Sequence, residues 1–188
     1  MDINAFVNIT SRAWSLPILA KLHAGIAGRQ APLLSATGAS RTAFAQSMEH
    51  LINIGLLERN PGHGHPLRPE FRLTPLGQIA AEMAHKILEV SEEKEQDLIR
   101  RSWTLPVLAS LQKPSQFSEI KRSLSTITDR ALSQSLRRME DRQWIHRRVE
   151  NATRPPMPIY HPINTGAMIS NVTSGVILCS NLRVNHKL

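Results

Sequence analysis

Cysteine is almost missing: Cys179 stands alone in 188 residues, so no intramolecular disulfide can form and packing must hold the fold. That usage suits a reducing cytoplasm. The neighbours Val176, Ile177 and Leu178 are apolar, so the thiol reads as a small buried hydrophobe rather than a redox sensor. Aromatics make up only 4%, with one Tyr, which argues against the rows of stacking rings that hold single-stranded nucleic acid. No apolar run reaches the roughly 18 residues of a membrane span. Residues 1–6 lack the basic and apolar regions of a signal peptide, so none is expected. Also missing are a P-loop, a Rossmann glycine pattern and any nucleophile–base motif, so no catalytic activity is expected. His63 and His65 have no Cys, His or carboxylate partners at ligand spacing, and neither a metal nor a cofactor is expected.

Acidic residues are outnumbered. Twenty-three Lys/Arg face fifteen Asp/Glu, a formal net charge of +8, which points to a polyanionic partner, duplex nucleic acid first. Residues 1–90 carry eight basic and six acidic side chains, and residues 91–188 carry fifteen and nine, so the excess lies in the second half.

What is present is a repeat. Arg12-Ala13-Trp14-Ser15-Leu16-Pro17-Ile18-Leu19-Ala20-Lys21-Leu22 recurs 89 residues later as Arg101-Ser102-Trp103-Thr104-Leu105-Pro106-Val107-Leu108-Ala109-Ser110-Leu111. Two copies at that period do not make a solenoid; they suggest two small domains, 1–90 and 91–188. In the second copy, Thr104 is expected to cap a helix, and Ser115 or Ser118 starts another through Phe117, Ile120 and Leu124. Leu132, Leu136 and Met139 then mark one face of a third. Residues 144–149 and 158–163 read as short strands, and a final helix starts near Asn164 or Thr165. The first copy repeats this order. Ser15 is its first cap, Leu33-Leu34 marks a short helix, and Ser40 caps a helix burying Phe44, Met48 and Leu51. Gly55 closes that helix, strands follow at 56–59 and 70–73, and Thr74-Pro75 opens a long helix reaching or passing Glu89. Residues 92–95 are expected on a solvated helix face, and Trp14 and Trp103 as core anchors. The expected fold class is therefore mainly α with small β-hairpin wings: two tandem winged helix-turn-helix domains.

From residue 101 the pattern becomes specific. Trp103-Thr104-Leu105-Pro106-Val107-Leu108, Phe117-Ser118-Glu119-Ile120-Lys121-Arg122, and Thr128-Asp129-Arg130-Ala131-Leu132-Ser133-Gln134-Ser135-Leu136-Arg137-Arg138-Met139-Glu140 resemble the HxlR family of bacterial winged-helix transcriptional regulators. That family shows a W-x-x-x-I-L opening, an F-x-E-L block and an S-x-x-x-L-S-x-x-L-x-x-L-E recognition helix followed by a wing. MarR-like regulators and tandem winged-helix chromosome-segregation proteins share part of this pattern. The chain departs from it in joining two copies, in Gln143 where a turn glycine is usual, and in Ala31-Pro32-Leu33-Leu34 where the first copy lacks the F-x-E-L block. Neither copy has a cysteine near its N-terminus, so the family's thiol-based sensing is not carried over.

The resemblance implies double-stranded DNA as partner. With Leu132, Leu136 and Met139 inward, Thr128, Arg130, Ser133, Gln134, Arg137 and Arg138 face outward, the residue types that read base edges and phosphates. Lys121 and Arg122, and Arg147, Arg148 and Arg154 at the wing, are placed for phosphates. The corresponding helix of the first copy offers Arg41, Thr42 and Gln46, with Ala45, Glu49 and His50 beside them, a poorer electrostatic footprint. Two roles stand open for that copy: weak DNA binding, or a built-in partner for the second. A homodimer through the terminal helices is a further expectation, and an effector is unknown. The rival reading is a winged-helix protein-interaction scaffold, such as a chromosome-segregation accessory subunit.

Overall fold

The structure, a computed structural model, describes residues 1–60, 70–150 and 156–184, with side chains in the last stretch through residue 174. Arg154, His63 and His65, and the side chain of Cys179, lie outside the described residues. The chain forms two compact units: Ile9–Glu89, and Met1–Asn8 together with Val90–Leu188. It opens with α1 (Ile3–Thr10). The first unit continues through α2 (Ser15–His23), α3 (Gln30–Thr37), α4 (Arg41–Asn53), β1 (Leu57–Asn60), β2 (Glu70–Leu73) and α5 (Pro75–Glu89). The second runs through a 3-10 turn (Glu93–Glu95), α6 (Gln96–Ile99), α7 (Thr104–Ser110), β3 (Ser115–Gln116), α8 (Phe117–Ser123), α9 (Asp129–Asp141), β4 (Ile145–Glu150), β5 (Met157–Pro162) and α10 (Asn164–Val184). Each unit is thus a winged helix-turn-helix, mainly α with an antiparallel hairpin. No helix among the described residues is long and apolar enough to cross a membrane.

The cores follow from the apolar spacing. In the first unit α2 packs along α5, and Leu16, Ile18, Leu19, Met83, Ala84 and Ile87 are buried with Phe44, Met48 and Leu51 of α4. In the second, α7 packs along α10, and Leu105, Val107, Leu108 and Ile169 are buried with Leu132, Leu136 and Met139 of α9. Each large aliphatic side chain so buried stabilises by roughly 1.5–3 kcal/mol, so these faces decide where the helices sit. Gln112 Nε2 bonds the carbonyl and hydroxyl oxygens of Ser170 at 3.1 and 3.3 Å, tying the end of α7 to α10.

The exit from the third helix is built alike in both units. Leu56 N–H reaches back to Leu51 O at 2.9 Å and Trp144 N–H to Met139 O at 2.8 Å. The residue between helix end and strand, Gly55 or Gln143, is left-handed, with φ of 73° and 56°. This is the paired-carbonyl helix stop that favours glycine. The next carbonyl, Leu56 O or Trp144 O, accepts from the N–H that starts the last helix, Thr74 at 3.1 Å or Ile163 at 2.8 Å. A glycine presses on each: a Cβ on Gly77 or Gly166 would lie 2.0 Å from that oxygen.

Several expected caps are replaced. Ser15 and Thr104 do not cap; they are the first residues of α2 and α7, and Trp14 and Trp103 take the cap position without a side-chain bond. The reason is the preceding turn: the carbonyls of Arg12 and Arg101 accept from the Ser15 and Thr104 N–H groups at 3.1 and 3.2 Å, and Pro17 and Pro106 have no donor to satisfy. Ser15 Oγ is buried with no hydrogen-bond partner among the described residues. α8 starts neither at Ser115 nor at Ser118. Gln116 caps it, in a reciprocal box with Glu119, because Ser115 and Gln116 are drawn into β3 alongside Tyr160 and Ile159 of β5. Thr128, Ser40 and Thr74 do cap, accepting from Ala131, Ala43 and Gly77 N–H at 3.2, 3.3 and 3.0 Å.

The acidic run is also more than a solvated face. Glu95 is half-buried and accepts from Trp144 Nε1 at 2.8 Å, Thr165 Oγ1 at 3.2 Å and Glu92 N–H at 2.8 Å. The anchoring tryptophan is Trp144, 1% exposed, whereas Trp14 and Trp103 are half-buried. Burial pushes the Glu95 carboxyl pKa up, but the bonds from Glu92, Trp144 and Thr165 and the nearby Lys94 charge outweigh it, leaving it below the usual value.

Two predictions follow from these turns. Gln143→Gly relieves a left-handed residue that costs about 1–2 kcal/mol, less the added freedom of the unfolded chain, so it raises stability by about 0.5–1 kcal/mol in urea unfolding; Gly55→Ala lowers it. For Glu95, a pKa lower in the folded than in the unfolded state adds stability above the unfolded value, and acidification through the folded value removes it. The wild type therefore loses more stability than Glu95→Gln as pH falls from about 5.5 to 3.5, and the two urea midpoints converge at the acid end.

Candidate nucleic-acid interface

α9 is an amphipathic helix with two opposed stripes. Leu132, Ser135, Leu136 and Met139 are buried, while Arg130, Ser133, Gln134, Arg137 and Arg138 are all exposed at helical spacing on the other side. Thr128 is exposed at the N-cap, its oxygen engaged by Ala131 N–H. Asp129 in the first turn is favoured by the helix dipole and is ion-paired with Lys121 of α8. Lys121, expected as a phosphate contact, thus already shares its charge, whereas Arg122 is exposed on the same helix. Arg130, Arg137 and Arg138 have no carboxylate partner among the described residues. The N-terminus of α9 therefore presents Arg130 with the adjacent acid ion-paired.

The wing separates two arginines that adjoin in sequence. Strand side chains alternate between faces. Arg147 pairs with Tyr160 across β4–β5 and shares with Ser133, Arg137 and Glu140 a cleft of about 310 Å³ between α9 and the hairpin. Arg148 lines the other side with Glu150, Ile159 and His161, where His146 and His161 meet edge to face at 5.2 Å. The structure thus brings Arg147, Arg137 and Ser133 together and sets Arg148 apart. Arg154 lies outside the described residues. Arg142, also exposed, is held by Asp97 at 3.0 Å and by Lys94 O at 3.2 Å and serves as a clamp.

In the first unit, Arg41, Thr42 and Gln46 are exposed on α4, with Ala45 and Glu49 beside them. His50 is half-buried and lies 3.3 Å from Ser11 Oγ. Sequence reading passed over Arg59, whose guanidinium stands over the Phe71 ring at 5.9 Å. The signal was there: Arg59 precedes Arg147 by 88, the offset that also relates Gly55 to Gln143. Among the described residues no three His, Cys, Asp or Glu side chains cluster to hold a metal.

Residues 98–179, spanning α7 to α10 with α9 and the wing, match the HxlR-like helix-turn-helix family. A comparison with curated proteins finds no significant match. Among solved structures, a protein described as a MarR-family transcriptional regulator from Porphyromonas gingivalis W83 is similar at 18% identity and a TM-score of 0.39, over 53% of this chain and 98% of that one.

Proposed function

We propose that this chain is a DNA-binding transcriptional regulator of the cytoplasm whose second unit reads the duplex. α9 enters the major groove with Arg130, Gln134, Arg137 and Arg138 toward base edges and Ser133 and Thr128 toward bases or backbone, while Arg122 and the wing arginines hold phosphates. The observation that carries this is the exposed stripe on α9, continued into the wing by Arg147 across the α9–hairpin cleft. The HxlR-like match over residues 98–179 supports it, because it covers this helix and wing. The two units descend from one duplicated domain and act together as an intramolecular pseudo-dimer. Supporting this are the shared Arg-x-Trp segment, the matching helix stop and the matching glycine contact. The first unit, with Glu49 on its outward face, is the tethered half rather than the main reader. The terminal helices are available for a further homodimer.

Titration of labelled genomic duplex fragments at several salt concentrations tests this reading. Wild type binds, and its affinity falls steeply with salt. Arg130→Ala/Arg137→Ala weakens binding by about 2 kcal/mol or more and flattens sequence preference. Arg147→Ala weakens all sequences alike and lowers the salt slope by about one. Absence of binding at low salt, or an unaffected double variant, refutes the assignment of α9.

A further inference from the structure

The first unit has its own cleft between α4 and its hairpin, about 400 Å³, framed by Phe44, Met48, Glu49, Ile52, Arg59 and Phe71. It is the counterpart of the smaller α9–hairpin cleft: the positions of Ser133, Leu136, Arg137, Glu140, Arg147 and Tyr160 are taken by Ala45, Met48, Glu49, Ile52, Arg59 and Phe71. The shape is kept and the chemistry is exchanged. Ile52 stands where the second unit has Glu140, and Ala45 where it has Ser133, so the recognition-helix wall turns apolar, while Gln30 stands where the second unit has Phe117. Glu49 stands where it has Arg137, so the helix side turns from positive to negative. A phosphate backbone is repelled by that change, and the cleft falls within the roughly 300–1,000 Å³ typical of small-molecule sites. The two charges at its rim are not equally free. Arg59 keeps its charge but stands on the hairpin side, over the Phe71 ring, whereas Glu49 is exposed on the helix side with no ion-pair partner among the described residues.

We infer that this cleft binds a small aromatic organic cation. Its flat body lies on the helix side, among Phe44, Met48 and Ile52 and away from Arg59, and its protonated or quaternary nitrogen faces the Glu49 carboxylate. Desolvation of the ring supplies the affinity, and Glu49, the charge on that side, selects the sign. The inference stands apart from DNA reading by the second unit and is tested without DNA.

Full-length protein is titrated with berberine, a fluorescent aromatic cation, and with 1-anilinonaphthalene-8-sulfonate, an aromatic anion. Berberine is expected to bind saturably at one site, with the anion at least about tenfold weaker. Glu49→Gln weakens berberine by about tenfold, as loss of one ionic contact screened between the limits of water and a protein surface requires. Ala45→Phe, which fills the cleft from an exposed position, blocks binding, and Glu58→Gln, exposed on the same hairpin, leaves it unchanged. Equal affinity for the anion, an unchanged Glu49→Gln, an equal loss in Glu58→Gln, or no saturable binding below about 1 mM overturns the inference.

Discussion

In each unit the end of the third helix, the first residue of the wing and the first turn of the last helix meet at one peptide carbonyl, that of Leu56 or Trp144. It accepts the N–H of Thr74 or Ile163, and Gly77 or Gly166 lies against it. Because a Cβ there would come within 2.0 Å of the oxygen, that close approach requires glycine. The helix stop sets the direction in which the wing leaves, and the carbonyl contact sets where the last helix begins. In the second unit a further connection converges here: the Trp144 indole donates to Glu95, which also holds Thr165. The position of α9 relative to its hairpin, and hence the pairing of Arg137 with Arg147 in one cleft, depends on this junction.

Around that junction the two units differ where difference costs little. Replacing an inward Leu or Met of α4 or α9 forfeits about 2–5 kcal/mol, whereas a surface exchange away from special contacts moves stability by about 0.5 kcal/mol either way. The buried stripes therefore stay apolar, Phe44, Met48 and Leu51 against Leu132, Leu136 and Met139. The outward positions differ, Glu49 in one unit and Arg137 in the other. A unit charge about 4 Å from another is worth about 1 kcal/mol in water and more near a protein surface, and its sign reverses between these two side chains. The energetics of the fold and of the surface charge are thus largely separable, and one scaffold can carry two surface chemistries.

Much of this was legible in the sequence because periodicity reports burial. The stripe on α9 and its exposed counterpart follow from spacing alone, and the cap at Ser40 follows from its residue type and place. What was not legible involved partners distant in sequence. β3 is two residues long, too short to show alternation, and exists because β5 lies beside it. Glu95 looks like any member of an acidic run until Trp144, 49 positions away, donates to it. The Ser15 and Thr104 hydroxyls sit where caps are common, yet the donors a cap would meet are missing at Pro17 and Pro106 or already bonded, the Ile18 and Val107 N–H groups to the carbonyls of Trp14 and Trp103. Arg147 and Arg148 point to opposite faces by the simple period of a strand, but grouping them by charge hid the alternation.

The second unit also differs from the first in the backbone strain at its wing base. Where the first has Gly55, the second has Gln143 at φ 56°, and Asn164 follows at φ 48°, its Nδ2 donating to Gln143 O at 3.0 Å. A side-chain-bearing residue in this region is strained, and asparagine tolerates it best. Glycine would have removed the strain together with the restriction on backbone motion that a side chain imposes. In both units a side chain at the start of the last helix holds the carbonyl of this residue: Asn164 Nδ2 donates to Gln143 O here, and Thr74 Oγ1 donates to Gly55 O at 2.7 Å in the first unit. The start of the wing is therefore joined to the start of the last helix in each, and the difference lies in the left-handed backbone of Gln143 and Asn164. That strained backbone belongs to the unit whose helix and wing arginines, Arg137 and Arg147, line one cleft.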